Sequence, residues 1–198
     1  MKLQPRPQQP GNIVATLCAS IVAIDFETSG HASNAACALG MARIESGNVV
    51  DTFYSLIRPP SSKILFTQIH GLTWAMLESA PRFATLWPKI AGFLANADYL
   101  LAHNAPFDRK VLYGCCQHIG VSVPEQPFLC TLKGCRMVFD LPSNSLATVC
   151  AHFGIPLQHH NAASDAMACA NIYLQLRKAG LSHDKLQLKP FANIKTFF

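Results

Sequence analysis

Apolar residues fall into short blocks along the chain, with turn residues between them. Ile21 to Ile24 is uninterrupted apolar sequence that runs into Asp25-Phe26-Glu27, which predicts a buried first strand over residues 20–25. Residues 36–44 and 49–57 are two further strand candidates. Glu45-Ser46-Gly47-Asn48 between them is a turn signal, so the two should form a hairpin. Pro59-Pro60 ends the third strand. Residues 66–78 read as short helical pieces broken at Gly71. Pro81 opens a helix that runs to about Leu94, with Phe83, Leu86, Trp87, Ile90 and Leu94 on one face. Residues 99–102 form a short buried strand and 107–119 a helix, with Pro106 near its start. Residues 126–131 read as a strand, and 132–139 and 145–153 as helices. The clearest helix is 163–179. Met167, Ala170 and Leu174 make its apolar stripe, and Gly180 follows as a C-cap residue. A meander of strands followed by strand–helix–strand units implies an α/β domain: a mixed sheet with helices on its faces.

The chain has 198 residues, enough for one domain with a sizeable core. Half the residues are hydrophobic, 14% are charged and the mean hydropathy is +0.21. That balance excludes a disordered tail protein, a collagen-like chain and a charged coiled coil. Residues 1–18 read as a flexible tail and lead-in, 19–180 as the folded unit, and 181–198 as a basic C-terminal extension. The apolar run 13–24 follows Lys2 and Arg6 and so imitates a secretory signal. It is shorter than the roughly 20 residues of a membrane span, and its second half reads better as the first strand. Eight cysteines lie inside apolar periodic segments and none forms a CxxC pair. They read as reduced core thiols of a cytoplasmic protein, with no membrane association and little support for zinc.

Three acidic signals remain. Asp25 and Glu27 are two apart on a strand and project the same way. Adjacent carboxylates repel, and a fold keeps such a pair when a divalent cation binds between them. Asp108 follows His103-Asn104-Ala105-Pro106-Phe107 and falls in a first helical turn, where the macrodipole alone would favour an acid. His160-Asn161-Ala162-Ala163-Ser164-Asp165 opens the long helix with a loop histidine and another first-turn acid.

In this order and spacing, the three signals resemble the DEDDh exonucleases. These are the DnaQ-like group that includes the proofreading subunit of bacterial replicative polymerase. Phe66-Thr67-Gln68-Ile69-His70-Gly71-Leu72-Thr73 and Pro127-Phe128-Leu129-Cys130-Thr131 are similar to further segments of that family. The sister group carries a tyrosine four residues before the last acid. Asn161 stands there, so the histidine type is indicated.

The resemblance implies a ribonuclease H-like fold with a five-stranded sheet, and 3′→5′ hydrolysis of nucleic acid to nucleoside 5′-monophosphates. It implies that Asp25, Glu27, Asp108 and Asp165 hold two Mg²⁺ or Mn²⁺ ions, that His160 is the general base, and that Thr28 and Asn104 touch the terminal nucleotide. DNA is the expected substrate, with RNA left open. One departure stands out: Thr28 is followed by Ser29-Gly30-His31 where the family carries Thr-Gly.

The residue types suit this chemistry in their own right. Two ions about 4 Å apart can clamp the attacking and leaving oxygens of a phosphodiester. Hard Mg²⁺ takes carboxylate oxygens and not thiols. A near-neutral histidine can accept a proton from water. Register selects His160 over His159, because the motif sets the base five residues before the last acid. In an extended loop, successive side chains point to opposite sides, so only one of the two should face the site. Outside the four acids, sixteen Lys and Arg oppose seven acids, a basic body around an acidic cleft that would attract a phosphate backbone.

Two other functions share part of the pattern: a two-metal endonuclease of ribonuclease H type, and a nucleic-acid-binding module without turnover. The Asp-x-Glu pair and the His160 motif weigh against the first, and the complete set of acids with His160 weighs against the second. Gln187-Leu188-Lys189-Pro190-Phe191 loosely resembles the peptides that dock on bacterial sliding clamps, and the chain ends in Phe197-Phe198. A clamp or polymerase partner through this extension is one expectation, and packing of these aromatics onto the protein's own core is the other.

Overall fold

The computed structural model describes residues 19–190. The elements run β1 (Ile21–Thr28), β2 (Ala36–Glu45), β3 (Asn48–Leu56), α1 (Thr67–His70), α2 (Trp74–Leu77), α3 (Phe83–Leu94), β4 (Tyr99–Ala102), α4 (Ala105–His118), β5 (Phe128–Cys130), α5 (Thr131–Val138), α6 (Leu146–Phe153), α7 (Ala162–Lys178) and α8 (His183–Leu186). The five strands form one sheet in the order β3-β2-β1-β4-β5. The first three pair antiparallel, and β4 and β5 add in parallel to β1. The mixed sheet with flanking helices agrees with a ribonuclease H-like fold.

β1 is central, and its alternation divides the core in two. Val22, Ile24 and Phe26 turn to one face and pack with Phe83, Leu86 and Ile90 of α3 and Leu112 of α4. Ile21 and Ala23 turn to the other and pack with Cys135 of α5, Val149 of α6 and Cys169 and Ile172 of α7. Asp25 therefore shares the α7 face of the sheet.

Several boundaries differ from the sequence reading. β1 runs three residues past residue 25, so Asp25 and Glu27 both lie within the strand. The register with β2 shifts between Glu27 and Thr28, where the strand ends in a bulge. α4 begins at Ala105, ahead of 107, because Asn104 adopts a left-handed φ of 69° and Pro106 suits the first helical positions. β5 is only three residues long and passes directly into α5 at Thr131.

Residues 183–188 pack on the domain. His183 and Leu186 are buried, and the Tyr173 hydroxyl lies 2.7 Å from His183 Nε2. Gln187 forms an antiparallel bridge to Leu129, and the Leu188 N–H donates to the Phe128 carbonyl at 2.8 Å, along the free edge of β5. The tail over residues 1–18, Phe191 of the clamp-like peptide and Phe197-Phe198 lie outside the described residues. Among the described residues the seven cysteines are free and buried. No described helix is long and apolar enough to cross a membrane.

Candidate active site

The carboxylates meet at the C-terminal end of β1. Strand alternation aims Asp25 and Glu27 from β1, the first turn of α4 supplies Asp108, and the first turn of α7 supplies Asp165. Asn161 caps α7: its Oδ1 accepts from the N–H groups of Ala163 and Ser164 at 3.1 and 3.2 Å. Asp25, Glu27 and Asp165 each offer a carboxylate oxygen within 4.8 Å of the others. Asp108 is not in that trio. The residue is 1% exposed, and its Oδ1 accepts from the Phe26 N–H at 3.0 Å, which ties α4 to β1 beside the trio.

Burial and mutual repulsion leave these acids reluctant to ionise. Desolvation, then the charges of Asp108, Asp165 and Glu27, hold the Asp25 carboxyl well above its ordinary range. Burial, then Asp165, pushes Glu27 up to about 8. Burial likewise pushes Asp108 to about 8, against the hydrogen bond from Phe26. Burial raises Asp165 too, although His160 and His159 pull it back. Asp165 Oδ1 is buried without a hydrogen-bond partner. An all-oxygen donor set with excess negative charge and an orphaned carboxylate oxygen fits a hard divalent cation such as Mg²⁺ or Mn²⁺.

Two histidines stand over Asp165. Its Oδ2 accepts from the His160 backbone N–H at 3.0 Å and lies 3.1 Å from His159 Nδ1. The two imidazoles stack, with 3.8 Å between centroids and 19° between planes, and both line the cleft. This corrects the expectation that adjacent rings would point apart. His160 has a φ of 67°, so the chain turns there and brings its ring over that of His159. Burial and the neighbouring His159 lower the His160 pKa against the pull of Asp165, which favours a neutral ring near pH 7.

The cleft has a volume of about 370 Å³. Thr28 lines it and is buried; its carbonyl accepts from His70 Nε2 at 3.2 Å, while the Leu72 N–H donates to His70 Nδ1 at 3.0 Å. Asn104 is exposed at the N-cap of α4 and is not part of the lining, whereas its neighbours His103 and Phe107 are. Ser29-Gly30-His31 folds into a closed loop. The Ser29 N–H donates to the Ala35 carbonyl at 2.8 Å, and the His31 ring meets Phe66 edge-on.

Phe66, Ile69, His70 and His103 also line the cleft, although the sequence alone assigns none of them a role. The signal for the first three was the segment 66–73 itself. For His103 it was the position beside Asn104. His103 is locked between Thr131 Oγ1 and the Asn144 carbonyl, both at 2.9 Å, and burial lowers its pKa to about 4. Nε2 must carry its proton, since a carbonyl can only accept.

Carboxylates suited to divalent cations, set beside a neutral histidine in an open cleft, define a metal-assisted hydrolase. Residues 22–173 match the profile of the RNase_T family, described as "Exonuclease", and the chain belongs to that family. Its acids and histidine occur in the order and spacing of the DEDDh type. It is 31% identical over 186 residues to the PolC-type DNA polymerase III of Thermotoga petrophila, a match that covers 89% of this chain and 13% of that protein. The chain thus spans a small part of the curated relatives it matches. Among solved structures, exonuclease X in complex with 5′-overhanging duplex DNA superposes with a TM-score of 0.68 at 21% identity, covering 84% of this chain and 96% of that one. The nuclease domain of 3′hExo, a DEDDh family member bound to rAMP, superposes with a TM-score of 0.73 at 16% identity, covering 88% and 98%.

Proposed function

We propose that this chain is a metal-dependent 3′→5′ exonuclease that releases nucleoside 5′-monophosphates from DNA, with RNA as a second substrate. The approach of Asp25, Glu27 and Asp165 oxygens to within 4.8 Å of one another carries this reading. Those three acids and Asp108 would hold two Mg²⁺ or Mn²⁺ ions. When bound, such ions supply an activated water and stabilise charge on the scissile phosphate. His160, neutral near pH 7, accepts the proton of the attacking water at its imidazole. His159, through Nδ1, holds the Asp165 carboxylate in place. Thr28 and the apolar wall of Phe66, Ile69 and Phe107 receive the terminal nucleotide, and Asn104 contacts it from the rim.

The relation to PolC-type polymerases supports a replicative or repair setting with a clamp or polymerase partner. Gln187 and Leu188 of the clamp-like peptide are paired to the edge of β5, so docking through that peptide would require them to leave the sheet. We propose the cytoplasm as its compartment, on the reading of its cysteines as reduced core thiols.

Digestion of 5′-labelled DNA and RNA oligomers tests the reading. A ladder shortening by single nucleotides from the 3′ end in Mg²⁺, absent in EDTA and absent when the 3′ end is blocked, is expected. Cutting of the blocked oligomer would instead establish an endonuclease.

A further inference from the structure

Gly40 lies in the middle of β2, directly opposite Asp25 in the antiparallel register. Glycine weakens a strand interior, and where it occurs there it often marks the close approach of another backbone. A Cβ placed on Gly40 would stand 2.0 Å from the Ala162 carbonyl oxygen, 2.3 Å from its carbonyl carbon and 2.6 Å from the Ala163 nitrogen. All three are backbone atoms at the start of α7, so no side-chain rotation could relieve the contact. The surroundings are small as well: Ala38, two residues along the same face, shares a buried cluster with Ala162.

We propose that Gly40 is a positioning residue for the active site. Its missing side chain lets the start of α7 rest on β2 beside Asp25, and so sets the separation between the β1 carboxylates and Asp165. Ala162 is three residues from Asp165 in one rigid helical turn, and the Asp165 N–H is bonded to the Asn161 carbonyl at 2.9 Å. Displacing Ala162 therefore carries Asp165 and the His159-His160 pair with it. An alanine at position 40 would drive this segment outward by roughly 1 Å or more to reach ordinary contact. Metal–oxygen distances tolerate only about 0.2 Å, and Mg²⁺ demands near-ideal geometry. The inference rests on the reading that Asp25, Glu27 and Asp165 hold cations.

The test is Gly40→Ala, followed by Mn²⁺ titration with electron paramagnetic resonance, by kcat and KM on single-stranded DNA, and by thermal unfolding. Mn²⁺ affinity should fall about tenfold or more. kcat should fall by about 10²-fold, and KM should hold, because Thr28 and His70 are not on α7. Gly134→Ala is the matched control. Its Cβ would meet Leu186 Cδ2 at 2.5 Å and Leu176 Cδ1 at 2.7 Å, both side-chain atoms remote from the acids. It should lower the melting temperature and leave Mn²⁺ affinity and kcat near wild type. Wild-type Mn²⁺ affinity in Gly40→Ala would overturn the proposal, as would an equal loss in Gly134→Ala. If Gly40→Ala does not fold, Ala38→Val crowds the Ala162 side chain more gently: weakened Mn²⁺ binding there supports the proposal and unchanged binding overturns it. Wild-type protein that binds no Mn²⁺ would overturn the metal reading itself, and the role of Gly40 with it.

Discussion

The imidazoles of His159 and His160 stack 3.8 Å apart over the carboxylate of Asp165, and they engage it differently. His159 reaches Oδ2 through its ring, and His160 reaches the same oxygen through its backbone N–H. The ring of His160 is thus left free for proton transfer, while that of His159 is occupied. His160→Ala should lower kcat by roughly 10²–10⁴-fold with Mn²⁺ binding retained. His159→Ala should instead weaken Mn²⁺ binding and spare most of kcat. The reverse outcome in paired kinetic and binding measurements would reassign the base.

The pH–rate profile should reflect the same ring. Burial and His159 hold the His160 pKa below its ordinary 6.5 in the free protein. With Mg²⁺ saturating, so that the carboxylates are held ionised, the acid limb of kcat/KM should therefore fall away below about pH 6.5. His160→Ala should lose that limb. A limb that persists unchanged in the variant belongs to another group.

The carboxylate cluster opposes folding while no cation is bound. Asp25→Asn should abolish detectable turnover and raise the stability of the metal-free protein by on the order of 1 kcal/mol, read by denaturant unfolding. A destabilised Asp25→Asn protein would contradict the repulsion argument.

A pH dependence follows with a definite sign. Glu27 ionises at about 8 in the fold and at 4.5 as a free side chain. Between those values the native state binds the extra proton, so stability falls as pH rises and levels off above 8. Asp108, also at about 8, acts in the same direction. His103 and His183, lowered to about 4 by burial, act oppositely, but only up to the ordinary histidine pKa of 6.5. The clean window is therefore pH 6.5 to 8. In EDTA the melting temperature should decline across it, and saturating Mn²⁺ should remove the decline. A flat EDTA profile would show that the acids ionise normally.

His103 supports the cleft from beneath. His103→Ala leaves the Asn144 carbonyl without its partner, while the Thr131 hydroxyl can still turn to the Ala102 carbonyl at 3.5 Å, and the loss should cost about 1–3 kcal/mol in chemical denaturation. Full stability in that variant would mean that water replaces the bond to Asn144.

Leu186 tests how far the folded unit extends. It is fully buried with Leu176 of α7 in one core cluster. Leu186→Ala should cost about 2–5 kcal/mol, with kcat per folded molecule unchanged at low temperature. No loss of stability would mean that residues 183–188 contribute little to the domain.

Local patterns in the chain were enough to define the order of the strands and of the helices up to residue 178, and the 45–48 hairpin turn, whereas the four acids and their histidine stand out as a set only through the resemblance to the DEDDh exonucleases. Strand alternation and helix periodicity are short-range effects, written in neighbouring residues. The left-handed turns at Asn104 and His160 carry no such mark, because their φ values depend on what the surrounding chain packs against. That is why α4 begins two residues early, and why His159 and His160 stack where alternation separated them. The closeness of Asp25, Glu27 and Asp165 depends on how α7 seats against β2, and so on Gly40, which from its own neighbours is only a weak point in a strand. Leu188 is similar: the sequence shows part of a clamp-like peptide, and the fold lays it along the open edge of β5, whose unpaired backbone groups accept it. Contacts between residues distant in the chain set all of these distances, and they exist only once the helices have closed on the sheet.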